Sequence, residues 1–426
     1  MKKSLLLFSV ILLSFVSCGS RSGFVTVRDG RFCLNGEPYS FVGTNFWYGA
    51  ILGSQGEGGD RDRLIRELDL LHEYGLDNLR ILVGGDGPDG IPSRIEPTLQ
   101  KQPGVYNDDI FDGLDFLMKE MGERGMKAVL YINNSWEWSG GYSLYLEWAG
   151  RGKAPIPAVD GWNEFTEYVS MYAKDELAHK LFYDHVRHVI TRTNRYTGLR
   201  YRDDPAIMAW QIGNEPRPFG PDNADAFAAW MKEASALIRN LDRNHLICTG
   251  NEGRAGSDEN LDLVRSINAD KNIDYMTIHI WPLNWGWVNR DNLDGERLEW
   301  AMANTMQYIS QHREIAKDLR KPLVLEEFGF PRDGFCFEPG SPTVSRDTYY
   351  SFVMDAICAD AETEGIFAGC NFWGWGGYAK PASDHIFWKK GDPYCGDPAQ
   401  EEQGLNSIFA ADSTTLAIIK NYADRL

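Results

Sequence analysis

The 426 residues, 43% hydrophobic and 13% aromatic, are enough for one large core or for two domains. The net charge of −18 repels phosphate backbones and anionic lipid surfaces, and no Lys/Arg tract follows residue 3. Both facts argue against nucleic acid as a partner, whereas a neutral ligand is compatible. No His/Cys spacing suits zinc, so no metal or other cofactor is expected.

In chain order, Lys2 and Lys3 precede an apolar run from Leu5 to Val16, followed by Ser17-Cys18-Gly19-Ser20. This order predicts an export signal over residues 1–18, too short to span a membrane. It is similar to the lipobox of bacterial lipoproteins, with Phe15 where that motif usually has Leu. The similarity implies lipidation of Cys18 and export, to the outer membrane, the periplasm, the cell surface or the medium. Membrane contact would then run only through the lipid anchor. Export permits disulfides, and Cys336 with Cys395 is the expected pair, both in loops on one face. Cys33, Cys248, Cys358 and Cys370 read as small buried hydrophobes.

Phe24–Tyr39 reads as a hairpin with turns at Asp29-Gly30 and Asn35-Gly36. Strands are expected at Ser40–Thr44, Asn78–Val83, Met126–Ile132, Ile207–Gly213, His245–Thr249, Tyr275–Ile280, Leu323–Leu325 and Gly369–Trp373. Helical periodicity marks Asp62–Tyr74, Asp109–Arg124, Glu176–Arg195, Ala224–Leu241, Arg297–Asp318, Arg346–Ala361 and Thr414–Ala423. Asn133–Met171 reads as a long loop rich in Trp and Gly. This alternation predicts an α/β chain, a (β/α)8 TIM barrel with long βα loops, as a single domain over residues 23–426. A doubly wound sheet is the alternative, but no Gly-rich phosphate turn follows an early strand. No feature calls for a second protein, and a monomer is expected.

Active sites of such barrels lie at the C-terminal ends of the strands. There the sequence places Asn45 and Trp47, Arg80, Asn134 and Trp136, Asn214 and Glu215, Asn251 and Glu252, His279 and Trp281, Glu326 and Glu327, and Trp373. Polar and aromatic groups at nearly every exit point to a ring-lined polar cleft. Cleaving an acetal needs a proton donor for the leaving oxygen and a second carboxyl at the oxocarbenium-like carbon. Glu215 is one candidate. Glu326 and Glu327 compete for the other place, because side chains alternate along a strand and only one should point inward.

Asn214-Glu215-Pro216 and Glu327-Phe328-Gly329 resemble the two catalytic signatures of glycoside hydrolase family 5. The stretch Asn133-Asn134-Ser-Trp136-Glu-Trp138-Ser-Gly140-Gly141 resembles the third loop of the endo-β-1,4-mannanases in that family, and Gly391-Asp392-Pro393 with Gly404-Leu405-Asn406-Ser407 is also mannanase-like. The resemblance implies a retaining hydrolase of β-1,4-mannosidic bonds in mannans, galactomannans or glucomannans. It selects Glu327 over Glu326 as nucleophile and makes Glu215 the acid/base. Asn214 would hold the sugar's 2-hydroxyl, Arg80 would keep the nucleophile ionised, and His279 would orient the carboxyls. Trp47 and Trp373 would stack on sugars, with Asn134 and Trp136 in the same site. The family usually has Tyr where Trp281 stands, so Trp281 would have to supply the hydrogen bond to the nucleophile.

Rival readings are an exo-β-mannosidase, a β-1,4-endoglucanase, or a glycan-binding lipoprotein without catalysis. His385 in the last loop is a possible substrate contact, and Asp384 and Asp397 are read as a solvated acidic loop rather than a calcium site.

Overall fold

The computed structural model describes residues 22–426. The export signal and Cys18 lie outside the described residues. Eight strands form the central sheet: β1 Phe41–Asn45, β2 Asn78–Leu82, β3 Lys127–Tyr131, β4 Ile207–Gln211, β5 Leu246–Cys248, β6 Met276–Ile280, β7 Leu323–Phe328 and β8 Phe367–Phe372. They pair in parallel in the order β5-β4-β3-β2-β1-β8-β7-β6. Backbone bonds from Asp274 N to Ile247 O (2.8 Å) and from His279 N to Glu252 O (3.1 Å) join the two ends into a TIM barrel. All eight strands are buried along their whole length, as apolar runs covered by crossover helices must be.

The first crossover helix, Arg61–Glu73, shows how local signals fix the elements. Asp60 caps it by accepting from Arg63 N at 2.9 Å, and Leu64, Leu68 and Leu71 point into the core. Gly75, at φ +73°, supplies the left-handed residue that ends it. The N-terminal hairpin forms where its two turn dipeptides predict it. Asp29, Gly30, Asn35 and Gly36 all have positive φ, the demand of tight hairpin turns. Its Phe32 plugs the lower mouth of the barrel, edge-on to Tyr275 at 5.2 Å and clustered with Phe41, Met208 and Val324.

Three expectations are corrected. Asn133–Met171 is not a loop but carries helices Gly141–Trp148, Pro157–Asp160 and Trp162–Val169. Its glycines hid them by serving as joints: Gly141 sits at φ +52°, and a Cβ there would lie 2.0 Å from Asn134 O. A helix at Leu261–Asn268, capped by the Asn260 side chain, follows β5 and was not anticipated. Cys336 and Cys395 are both free. Cys336 is exposed, while the buried Cys395 Sγ hydrogen-bonds Gln403 Oε1 at 3.2 Å.

Asp397 is not solvated either. Its buried carboxylate accepts from Gly404 N (2.9 Å), Asn406 N (2.8 Å) and the Ser407 hydroxyl (2.5 Å), pinning the last loop to itself. Removing it leaves buried N–H groups without acceptors, at about 1–3 kcal/mol each. Asp397→Ala is therefore expected to lose on the order of 3 kcal/mol in urea unfolding. An unchanged midpoint would contradict this role.

Candidate active site

The C-terminal end of the barrel holds a cavity of about 470 Å3, whose walls include Trp136, Asn214, Glu215, Trp281, Glu327 and Trp373. That volume lies within the ~300–1,000 Å3 of small-ligand sites.

Glu215 follows β4 in a left-handed conformation, φ +47°, which is uncommon for a residue other than glycine. Two bonds hold it there: Glu215 N to Gly250 O at 3.0 Å, and Ser135 Oγ to Glu215 O at 2.6 Å. Its carboxylate is thereby turned into the cavity. Oε1 meets His279 Nδ1 at 2.8 Å, and Oε2 accepts from the Trp136 indole N–H. Arg217 Nη2 lies 3.5 Å from Oε2. Burial pushes the Glu215 pKa up, but the His279 hydrogen bond and charge, then Arg217 and Trp136, outweigh it and hold it at about 2.

Glu327 arrives from β7. Its Oε1 is bound by Arg80 Nη1, and its Oε2 lies 3.2 Å from His279 Nδ1. One oxygen each of Glu215 and Glu327, with a His279 ring nitrogen, fall within 4.8 Å of one another. Carboxyls this close suit acetal cleavage with retention, where spacings of about 5–5.5 Å prevail, and not the ~6.5–9.5 Å that admits a water for inversion. The same trio has the donor set of a metal site. However, its electrostatic place is already filled: burial disfavours charge on His279, but Glu327 and Glu215 raise its pKa well above normal, so the ring is an imidazolium between two carboxylates. A metal ion would have to displace that proton beside two guanidinium groups.

The expectation that only one of Glu326 and Glu327 points inward is overturned by a bulge. Leu325 pairs with Ile278 and Glu327 with His279, which leaves Glu326 as an extra residue. Alternation breaks there and both carboxyls turn to Arg80. Glu326 lies below Glu327, 3.7 Å from Arg80 Nε, and accepts from Gln211 Nε2 (2.7 Å) and Tyr275 OH (3.3 Å). It is absent from the cavity wall.

Arg80 is fully buried and its fork is engaged throughout. It donates to Gln211 Oε1, Asn45 Oδ1 and Asn214 Oδ1, each at 2.8 Å, as well as to Glu327, and lies over the Tyr131 ring at 4.4 Å. Asn214 is oriented twice over, since its Nδ2 donates to Asn134 Oδ1 at 3.1 Å. Asn134 therefore props Asn214 from behind and does not reach the cavity wall.

Trp47 is a second correction. Its N–H donates to Gly396 O at 3.0 Å, and Tyr48, Trp138 and Tyr394 pack around its ring. It braces the wall instead of lining it. Trp373 and Trp281 do line the cavity, edge-on to each other at 6.2 Å. Among the described residues, the polar contacts on the Glu327 carboxylate come from Arg80 and His279, not from Trp281. His385 is held by Asp384 (2.8 Å) and Asp392 (2.7 Å), away from the cavity.

Sequence reasoning missed Arg217, Glu401 and Trp162 on the cavity wall, which Glu252 also lines. Arg217 stands two residues after Glu215, a visible signal. Glu401 comes from a loop without periodicity. Burial, then the charges of Asp397 and Glu327, push its pKa well above the carboxylate range. Glu252 is ion-paired with Arg217, yet burial and then the Glu215 charge raise its pKa to about 7. Folded Glu252 thus keeps a proton that the unfolded chain loses near 4.5, so its contribution to stability falls as pH rises from 4.5 to about 7. Glu252→Gln is expected to flatten that decline in urea titrations at about pH 5 and about pH 7. A slope equal to the wild type's would refute it.

Comparison with known proteins agrees with this geometry. Residues 22–426 match the family model described as GH family 5 beta-mannosidase-like. Mannan endo-1,4-beta-mannosidase 5 of Solanum lycopersicum is 32% identical over 367 residues, covering 82% of this chain and 80% of that protein. Mannan endo-1,4-beta-mannosidase 7 of Arabidopsis thaliana is 30% identical over 364 residues, covering 82% and 77%. A glycoside hydrolase family 5 mannosidase from Rhizomucor miehei, solved in complex with mannosyl-fructose, superposes with a TM-score of 0.87 at 34% identity, over 95% of this chain and 98% of that one. With an eight-stranded barrel, two facing carboxyls and a family match over all the described residues, the chain belongs to glycoside hydrolase family 5, among its β-mannosidase-like members, and is a glycoside hydrolase.

Proposed function

We propose that the enzyme hydrolyses β-1,4-mannosidic bonds within mannan-type polysaccharides and their oligosaccharides, with retention. The observation that carries this is the approach of one oxygen of Glu215 and one of Glu327 to within 4.8 Å. The substrate class follows the relatives named as mannan endo-1,4-beta-mannosidases.

In this reading Glu327, paired with Arg80, attacks the anomeric carbon and forms a glycosyl-enzyme. Glu215 protonates the leaving oxygen, then takes a proton from the water that releases the sugar. The proton resides on His279, whose Nδ1 lies 2.8 Å from Glu215 Oε1. Substrate entry excludes water and separates Glu215 from bulk dielectric, which favours its neutral form and draws that proton onto it. Asn214, fixed by Arg80 and Asn134, presents its remaining amide hydrogen to the sugar. Trp373 and Trp281 pack on the ring faces.

A second reading is exo action, which releases one mannose at a time from a chain end. The observation favouring it is the 34% identity and TM-score of 0.87 to a protein described as a mannosidase. Residues 1–18 would direct export, with Cys18 as lipid anchor, so the substrate would be met outside the cytoplasm.

Glu327→Ala is expected to abolish turnover on mannan while retaining mannohexaose binding. Glu215→Ala should lose roughly 10²–10⁴-fold on mannan, yet remain active in the first step on an aryl mannoside, whose leaving group needs no proton. A Glu327→Ala enzyme with wild-type turnover would refute the reading. Sizing early products from mannohexaose separates the modes: internal fragments mean endo cleavage, and mannose with mannopentaose as sole first products means exo cleavage.

A further inference from the structure

Trp162 opens the helix Trp162–Val169 directly after Gly161 and lines the cavity that holds Glu215 and Glu327. Its side chain is 55% exposed. Core packing does not account for it, because Phe165, one turn along the same helix, is fully buried and supplies that anchor. The Trp162 ring is nevertheless fixed. It stands at 86° to Trp136 and at 90° to Phe165, with ring centroids 5.9 Å away in each case. Trp136 and Phe165 lie 20° from parallel. Two buttressing rings thus set the orientation of a third whose surface stays open to solvent, an arrangement that removes the ordering cost of binding a flat apolar ligand face.

Its place along the cavity gives the ring a direction. Glu215 Oε1 faces His279 and Glu327, while Glu215 Oε2 faces Trp136. Trp136 therefore lies on the side of Glu215 away from Glu327, and Trp162 lies against Trp136. In a retaining cleavage the acid/base stands beside the leaving oxygen, so the space beyond Glu215 receives the departing part of the substrate.

We propose that Trp162 is a specificity-determining residue: a stacking platform for pyranose rings of the leaving group, which makes the enzyme favour substrates with two or more sugars beyond the cleaved bond. This rests on the β-mannoside reading above. A pyranose offers a flat C–H face to the indole, the apolar partner such a ring takes.

The test compares wild type, Trp162→Ala and Trp162→Phe on mannopentaose, 4-nitrophenyl β-mannoside and 4-nitrophenyl β-mannobioside. The aryl substrates carry one small leaving ring and no second sugar beyond the cleaved bond. Trp162→Ala is expected to lower kcat/KM on mannopentaose roughly fivefold, through KM, and to lower it much less on the aryl substrates; Trp162→Phe should restore most of the loss. Equal losses on all three substrates would make Trp162 a structural prop and overturn the proposal, as would no loss on any. A wild-type enzyme inert toward every β-mannoside would overturn the parent reading as well, an outcome distinct from either pattern.

Discussion

The buried guanidinium of Arg80 is the constraint on which the rest of the site depends. Removing a cation from water costs several kcal/mol unless carboxylates and hydrogen bonds surround it. Here the partners come from three other strands: Asn45 at the end of β1, Gln211 and Asn214 at the end of β4, and Glu326 with Glu327 on β7. A single charge on β2 therefore sets the relative height of four strand ends. It also explains why Glu326 is retained below the cavity. With the bulge turning both carboxyls inward, Glu326 answers part of the Arg80 charge and frees one oxygen of Glu327 for the cavity.

Three cations, Arg80, His279 and Arg217, face five carboxyls: Glu215, Glu252, Glu326, Glu327 and Glu401. Such a cluster is stable only if some of the acids stay protonated. Burial does this for Glu401 and, below about pH 7, for Glu252. Glu327 and Glu215 raise the His279 pKa well above normal, so the imidazolium stands between these two carboxyls. A neutral substrate leaves these pairings intact, in keeping with the neutral ligand with which the acidic net charge is compatible.

The sequence displayed the frame and the two facing acids because each leaves a physical mark. An apolar run that stops at a carboxylate is a buried strand with an acid at its lip, and both Glu215 and Glu327 fit that pattern. The errors arose where one mark has two causes. Trp47 follows a strand as Trp373 does, but its N–H finds Gly396 and its ring finds other rings, which only tertiary structure reveals. Asn134 is polar at a strand exit, yet serves Asn214 and not a ligand. A bulge at Glu326 breaks period two without any local sign. The helices within Asn133–Met171 were masked by glycines that act as joints, so Trp162 was not seen as a cavity residue. The expected bridge between Cys336 and Cys395 failed because one thiol is exposed and the other buried in the folded loop.

The central claim is that Glu327, paired with Arg80, bonds to the sugar during turnover. Incubation with a 2-deoxy-2-fluoro-β-mannosyl fluoride, followed by peptide mass spectrometry, tests it most directly, because the fluorine slows release of the glycosyl-enzyme more than its formation. The account predicts a single fluoromannosyl adduct on Glu327, absent from Glu327→Ala. An adduct on Glu326 or Glu215, or rapid turnover to the inverted sugar with no adduct, would contradict it.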